Sequence, residues 1–400
     1  MSIGISPTER SILDILKTAL FDADKELELD VDYRSILTES RMHSVYQFSY
    51  SSLKDKAEKD NDFRKLFYQI LSNNVCNLDA HRQLHSMMSG AGISYVVLKG
   101  MSSAKYYPDP TMRTMGDVDF LVESEDLDKA AKVLEENGII KKNIKEHGFH
   151  WEFKDGNLIW ELHWAPPGVP KEGEAGERAR SYLNNVIATA EYYDGYMVPS
   201  VFHHGMILLL HSASHMTTTG IGLRHFCDWA VFVDQFSNME FCELFEMPLK
   251  DIGIWEFARV LTATAEKYLG ITPKEWTAGV DRTTVDMVME DILSSGNFGC
   301  KDDQRNNQAK LIRDNATKTA SDRSMIVVLF RNLSNSSRRA LPITAKIPIL
   351  LPIGWIYVGI RHLWRVKKGT KDKIIIKDTI QGAQKRTKVY RRLKLFEIEQ

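Results

Sequence analysis

Apolar residues recur at helical spacing through residues 6–90, with interruptions near Asp30 and Asn61. Ser6-Pro7-Thr8-Glu9 reads as a capping box with Pro at the first helical position. The helix it starts should bury Ile12, Leu13, Leu16 and Leu20. Phe63, Leu66, Ile70 and Val75 continue an apolar face until Gly90 and Gly92 stop it. The period then changes. Residues 93–98 are short, β-branched and aromatic, which predicts a buried strand. Lys99-Gly100 ends it, residues 102–107 fit one or two helical turns, and Pro108 and Pro110 make a loop. Val118–Val122 is a second strand, and Ser124 is placed to cap a helix that stops at Asn137-Gly138. Residues 148–153 and 158–164 flank Lys154-Asp155-Gly156-Asn157, a hairpin signal. Pro166-Pro167 closes this unit, and a polar stretch rich in Gly, Glu and Arg runs to about Arg180.

From His203 to about Leu293 the pattern is helical again. Met206, Leu209, Leu210 and Ala213 form one face, and Leu223, Phe226, Ala230 and Val233 form another. Residues 297–323 are polar and read as a linker or exposed loop. The pattern divides the chain into four stretches. They are an N-terminal helical region (1–90), an α/β core (91–168), a second helical region (169–300), and a polar, apolar and basic C-terminal stretch (301–400).

With 43% hydrophobic and 26% charged residues, the chain is not disordered. Its net charge of −1 hides an asymmetry: residues 361–400 hold 13 Lys or Arg and 4 Asp or Glu. The rest is correspondingly acidic, so nucleic acid is not expected as a partner. Val389, Leu393 and Phe396 follow helical spacing, so the basic tail reads first as a solvated or domain-packing helix; weak peripheral contact with an anionic membrane, and contact with an RNA or anionic acceptor, are the alternatives. Residues 347–360 are 14 uncharged positions broken by Pro348, Pro352 and Gly354, too short to span a bilayer. A buried loop and short helix is the first reading, an interfacial anchor the second. Four scattered cysteines and a charged N-terminus point to a cytoplasmic protein, at most peripheral to the inner membrane face.

The chemistry concentrates in residues 98–122. Gly116-Asp117-Val118-Asp119 puts two carboxylates on one face of a strand. Two acids aimed at one point repel unless a cation sits between them, and a hard metal is the natural occupant. Asp-x-Asp alone is weak, but three features add to it. Gly100, in Lys99-Gly100, allows close backbone approach to a phosphate. Arg113 lies four residues before Asp117, within reach of a polyphosphate. Alternation along the hairpin sets Ile159, Glu161 and His163 on one face, so Glu161 supplies a third acid.

These residues resemble the polymerase-β-like nucleotidyltransferase superfamily, and more closely a bacterial group of uncharacterised nucleotidyltransferases. The resemblance rests on Leu98-Lys99-Gly100, Tyr107-Pro108, Arg113, Gly116-Asp117-Val118-Asp119-Phe120-Leu121-Val122 and Glu161-Leu162-His163-Trp164. It continues through His211, His215, Leu223-Arg224 and Asp228, covering roughly residues 60–240. It departs from the wider superfamily in having Met101 after Gly100. It implies an α/β (α+β) core with a mixed sheet, flanked by N-terminal and C-terminal helical regions. It implies metal-dependent transfer of NMP from an NTP to a hydroxyl or similar group of an unknown acceptor, a small molecule, sugar or protein. Asp117, Asp119 and Glu161 would be catalytic and would hold Mg²⁺ or Mn²⁺. Lys99, Gly100, Ser102, Arg113 and Gly116 would bind the nucleotide, and His163, His211, His215, Arg224 and Asp228 would line the cleft. An Asp-x-Asp glycosyltransferase using a nucleotide sugar, and a non-catalytic nucleotide binder, are the competing readings. His203, His204, His211 and His215 lack a partner motif for zinc.

Overall fold

The computed structural model describes residues 4–21, 27, 31–142, 149–302, 304–313, 325–367 and 376–398. At its centre is a five-stranded mixed sheet in the order β1-β2-β5-β4-β3. The strands are β1 (Tyr95–Val97), β2 (Val118–Val122), β3 (Ile140–Lys141), β4 (His150–Asp155) and β5 (Leu158–His163). Strands β2 and β5 run parallel, and the other neighbours are antiparallel. The expected strand over Val118–Val122 has those bounds, and the mixed sheet is as the resemblance implies.

The hairpin is tighter than its sequence suggested. Asp155 pairs with Leu158, leaving only Gly156-Asn157 in the loop, with Gly156 at φ 54. This two-residue turn sets the register that pairs His150 with His163 and Glu152 with Glu161. The expected hairpin start at Gly148 lies outside the described residues. Ser124 makes no cap; it opens a short 3-10 turn, and the helix Leu127–Glu136 follows. The polar stretch after Pro167 is a helix, Glu174–Leu183, because Ala175, Ala179 and Leu183 give it a buried face.

The two sheet faces have different surroundings. Val118, Phe120, Trp160 and Leu162 point into a core built with Ala80, Leu84 and Met88 of the helix Asn61–Gly90 and with Leu134. Leu98 and Leu121 of the opposite face join a larger helical core. That core includes Leu209 and Leu210 of the helix Val201–Met216 and Phe226 and Val233 of the helix Leu223–Val233. It also takes in Ile12, Leu16 and Leu20 of the helix Pro7–Phe21, whose Ser6–Glu9 capping box is present.

The helix Ile376–Leu393 buries Ala383, Val389 and Leu393, so the basic tail packs on the body, as its spacing predicted. Within the expected polar linker, residues 305–313 are helical, while 314–324 lie outside the described residues. Residues 347–360 depart from the buried reading. They belong largely to the helix Leu351–Lys367, whose Ile353, Ile356, Ile360, Leu363 and Trp364 are exposed to solvent. No helix among the described residues is long and apolar enough to cross a membrane.

Candidate active site

Asp119 lies on β2 opposite Glu161 on β5, which in turn lies opposite Glu152 on β4. Three carboxylate side chains thus form a row across three strands, on the face turned to the helical body. Such a row is tolerated only where cations enter it. Two do so here. The Lys99 ammonium stands 2.8 Å from Asp119 Oδ1. The His163 Nε2 lies 3.2 Å from Asp119 Oδ1 and 3.2 Å from Glu161 Oε2. Since both neighbours are acceptors, Nε2 carries the ring proton. Glu152 is met by the Lys142 ammonium at 3.1 Å.

Asp119 is buried, which by itself would raise its pKa. Lys99 and His163 outweigh that and hold the carboxyl well below the usual range. Asp117, one residue before β2, differs. Solvent reaches it at the mouth of the site, and it has no ion-pair partner among the described residues. Packing around it, with the charges of Asp119 and Glu161, pushes its pKa up to about 6.

A stability prediction follows from Asp117. Below about pH 4 it is protonated folded and unfolded, and costs nothing. Between there and about pH 6 the folded state retains the proton more strongly, so stability falls as pH rises through that window. Asp117→Asn should therefore raise the melting temperature of the metal-free protein at pH 8 but not at pH 4. After discounting for solvent screening the gain is about 1 kcal/mol or less. Equal melting temperatures at pH 8 would contradict the assignment.

The loop leading to Asp117 is clamped by the helix Asn61–Gly90. Asn74 donates to the Thr111 and Arg113 carbonyls at 2.7 and 2.9 Å and accepts from the Met115 amide at 2.9 Å. Asn77 donates to the Gly116 carbonyl at 2.9 Å. Both side chains are buried, so the loop's backbone groups are paired away from water. Neither asparagine stood out in the sequence, because its partners are loop carbonyls nearly forty residues away.

Several expected nucleotide contacts are corrected. Arg113 is buried and pairs with Asp228 through two bonds of 2.7 Å, while the Tyr107 hydroxyl donates to the same carboxylate. Both are committed to each other, so Arg113 does not reach for a phosphate and Asp228 does not line the cleft. Ser102 is fully buried and donates to the Val97 carbonyl at 2.7 Å, which removes it from the nucleotide set. Lys99 is on Asp119, where a metal would sit. Gly100 adopts φ 59, ψ −102, so its requirement is conformational. A Cβ there would meet only the Asp117 carbonyl oxygen, at an ordinary 3.9 Å.

Arg224 takes the place of Arg113 near the mouth. A Cβ on Gly116 would stand 3.9 Å from its Nη1. Its guanidinium donates to the Thr114 carbonyl at 3.3 Å, and its buried Nε has no hydrogen-bond partner among the described residues. Burial and the nearby Arg113 charge bring its pKa down to about 10, still a cation at neutral pH.

His211 and His215 meet each other at 3.0 Å between their Nε2 atoms, with His225 alongside. Burial lowers all three pKa values, His215 to about 4, so they are neutral at pH 7. His203 is bonded to Ser200, Asn185 and Thr189, and His204 packs between Tyr106 and Phe232. No zinc set forms from these four. Metal-capable atoms instead converge at His150, Glu161 and His163, all within 4.8 Å of one another. His150 was missed; the Asp-Gly turn carried the signal, because a two-residue loop sets it opposite His163. The carboxylates, with an ammonium standing between charges of one sign, fit a divalent cation.

A mixed sheet carrying an acid row beneath a helical body is the architecture of a nucleotidyltransferase-like core. The family model for uncharacterised nucleotidyltransferases matches residues 30–270, more than half of the 400-residue chain, and the chain belongs to that family. No curated protein and no solved structure matches it.

Proposed function

We propose that the protein transfers a nucleoside monophosphate from an NTP to a hydroxyl acceptor, with release of pyrophosphate. The observation that carries this reading is the register of Asp119 and Glu161 on parallel neighbouring strands, with Asp117 at the open end of the same face. Asp117, Asp119 and Glu161 would hold Mg²⁺ or Mn²⁺. Bound there, a divalent cation supplies Lewis-acid polarisation of the α-phosphate and neutralises charge on the triphosphate.

The chain's own residues do the rest. Glu161 would take up the proton leaving the acceptor hydroxyl, with the His163 ring holding its carboxylate in place. Lys99, paired with Asp119 in the structure, would contribute charge towards the phosphates. Arg224, next to Gly116, meets the outer phosphates. Gly100 holds the turn that brings Lys99 and Asp117 together.

Calorimetry with a non-hydrolysable NTP analogue tests this arrangement. Binding should require Mg²⁺ or Mn²⁺. Arg224→Ala should weaken it about 10- to 100-fold, the 1.5–3 kcal/mol of a hydrogen bond to a charged group. Failure of every NTP analogue to bind in the presence of metal would contradict the proposal; metal-dependent binding that Arg224→Ala leaves unchanged would move the phosphates elsewhere.

A further inference from the structure

The helix Leu351–Lys367 and the turn before it present an apolar stripe to solvent. Ile349, Ile353, Ile356, Ile360, Leu363 and Trp364 are between 56% and 84% exposed. From Ile353 onward they recur at steps of three and four, so they share one helix face. The other face is already occupied by the helix Met325–Ala340. A Cβ on Gly354 would come within 2.8 Å of the Ser337 Cβ. The Trp355 indole donates to the Ser334 hydroxyl at 3.1 Å, and its ring meets Phe330 at 5.4 Å. The stripe is thus not the inner side of this hairpin.

Single exposed apolar residues are ordinary, but a continuous stripe asks for a cover. The charges around it indicate which. Residues 325–367 hold seven Lys or Arg and no Asp or Glu. Arg338, Arg339, Lys346, Arg361 and Lys367 are exposed. An apolar helix face with a tryptophan and a purely cationic setting complements an anionic bilayer: the apolar side chains enter the acyl boundary and the cations reach headgroup phosphates. A second copy of the chain would meet the stripe with the same unbalanced positive charge.

We propose that this helical hairpin docks the protein on an anionic lipid surface, lying in the plane of the membrane. The hairpin takes this role rather than the C-terminal helix, whose Ala383, Val389 and Leu393 are buried in the body. The proposal is independent of the reaction assigned to the acid row.

The test is sedimentation of the full chain with phosphatidylcholine vesicles, and with vesicles of equal parts phosphatidylcholine and phosphatidylglycerol. The protein should bind the anionic vesicles selectively, and less at high salt. Ile356→Asp combined with Ile360→Asp should lower the partition coefficient about 100-fold. Lys346→Glu combined with Arg361→Glu should lower it about 30-fold. All four positions are exposed, so circular dichroism should be unchanged. Absence of binding, equal binding to both vesicle types, or undiminished binding by the isoleucine variant overturns the proposal. So does a wild-type dimer in light scattering that the isoleucine variant loses while neither protein binds vesicles.

Discussion

Asp117→Asn should reduce nucleotidyl transfer by at least about 1000-fold, roughly 4 kcal/mol of transition-state stabilisation, while the protein stays folded. The substitution keeps the shape of the side chain and removes one charge and one carboxylate oxygen that would ligate the proposed metal. It breaks no ion pair among the described residues, so the loss is confined to chemistry. Asp119→Asn should remove as much activity, but with a structural penalty. The Lys99 ammonium at 2.8 Å and the His163 ring at 3.2 Å both lose a charged acceptor. Turnover with Mg²⁺ or Mn²⁺, measured beside the melting temperature, separates the two cases. Wild-type turnover in Asp117→Asn would remove it from the catalytic set.

The largest effect on stability is expected at Arg113. Arg113→Ala should destabilise the protein by about 3–5 kcal/mol, the range for breaking a buried ion pair from one side. Asp228 would remain buried with its charge, held by the Tyr107 hydroxyl alone. Arg113→Lys should recover only part of the loss, because an ammonium cannot make both 2.7 Å bonds of the planar fork. The measurement is urea unfolding. NTP affinity under folding conditions should not change, which distinguishes this arginine from Arg224. A loss below about 1 kcal/mol, the range of an exposed pair, would contradict the buried pairing.

What could be read from the sequence follows the range of the signals. The strand Val118–Val122 depends on period two within five residues, and the structure has it so, with Asp119 on the strand and Asp117 one residue before it. The hairpin depends on one Asp-Gly turn, and it delivers Glu161 to Asp119. The Ser6–Glu9 cap is equally local. Arg113 was misread because its partner is 115 residues away, and sequence position alone makes an arginine near Asp117 look like a phosphate ligand. Lys99 was placed in the right neighbourhood, but its pairing with Asp119, 20 residues on, was not legible. The hairpin at residues 325–367 was hidden for another reason. Apolar composition normally signals burial, and only the tertiary structure shows which face is left uncovered.

Labelled nucleotides test the central claim most directly. The full chain is incubated with each NTP carrying label in turn at the α- and the γ-phosphate, with Mg²⁺ or Mn²⁺ and a lysate as source of acceptor. Asp117→Asn serves as the control. The expected result is α-label joined to an acceptor or to the protein itself, γ-label recovered as pyrophosphate, and neither with Asp117→Asn. Transfer of γ-label, or activity with nucleotide sugars in place of NTPs, would contradict the account.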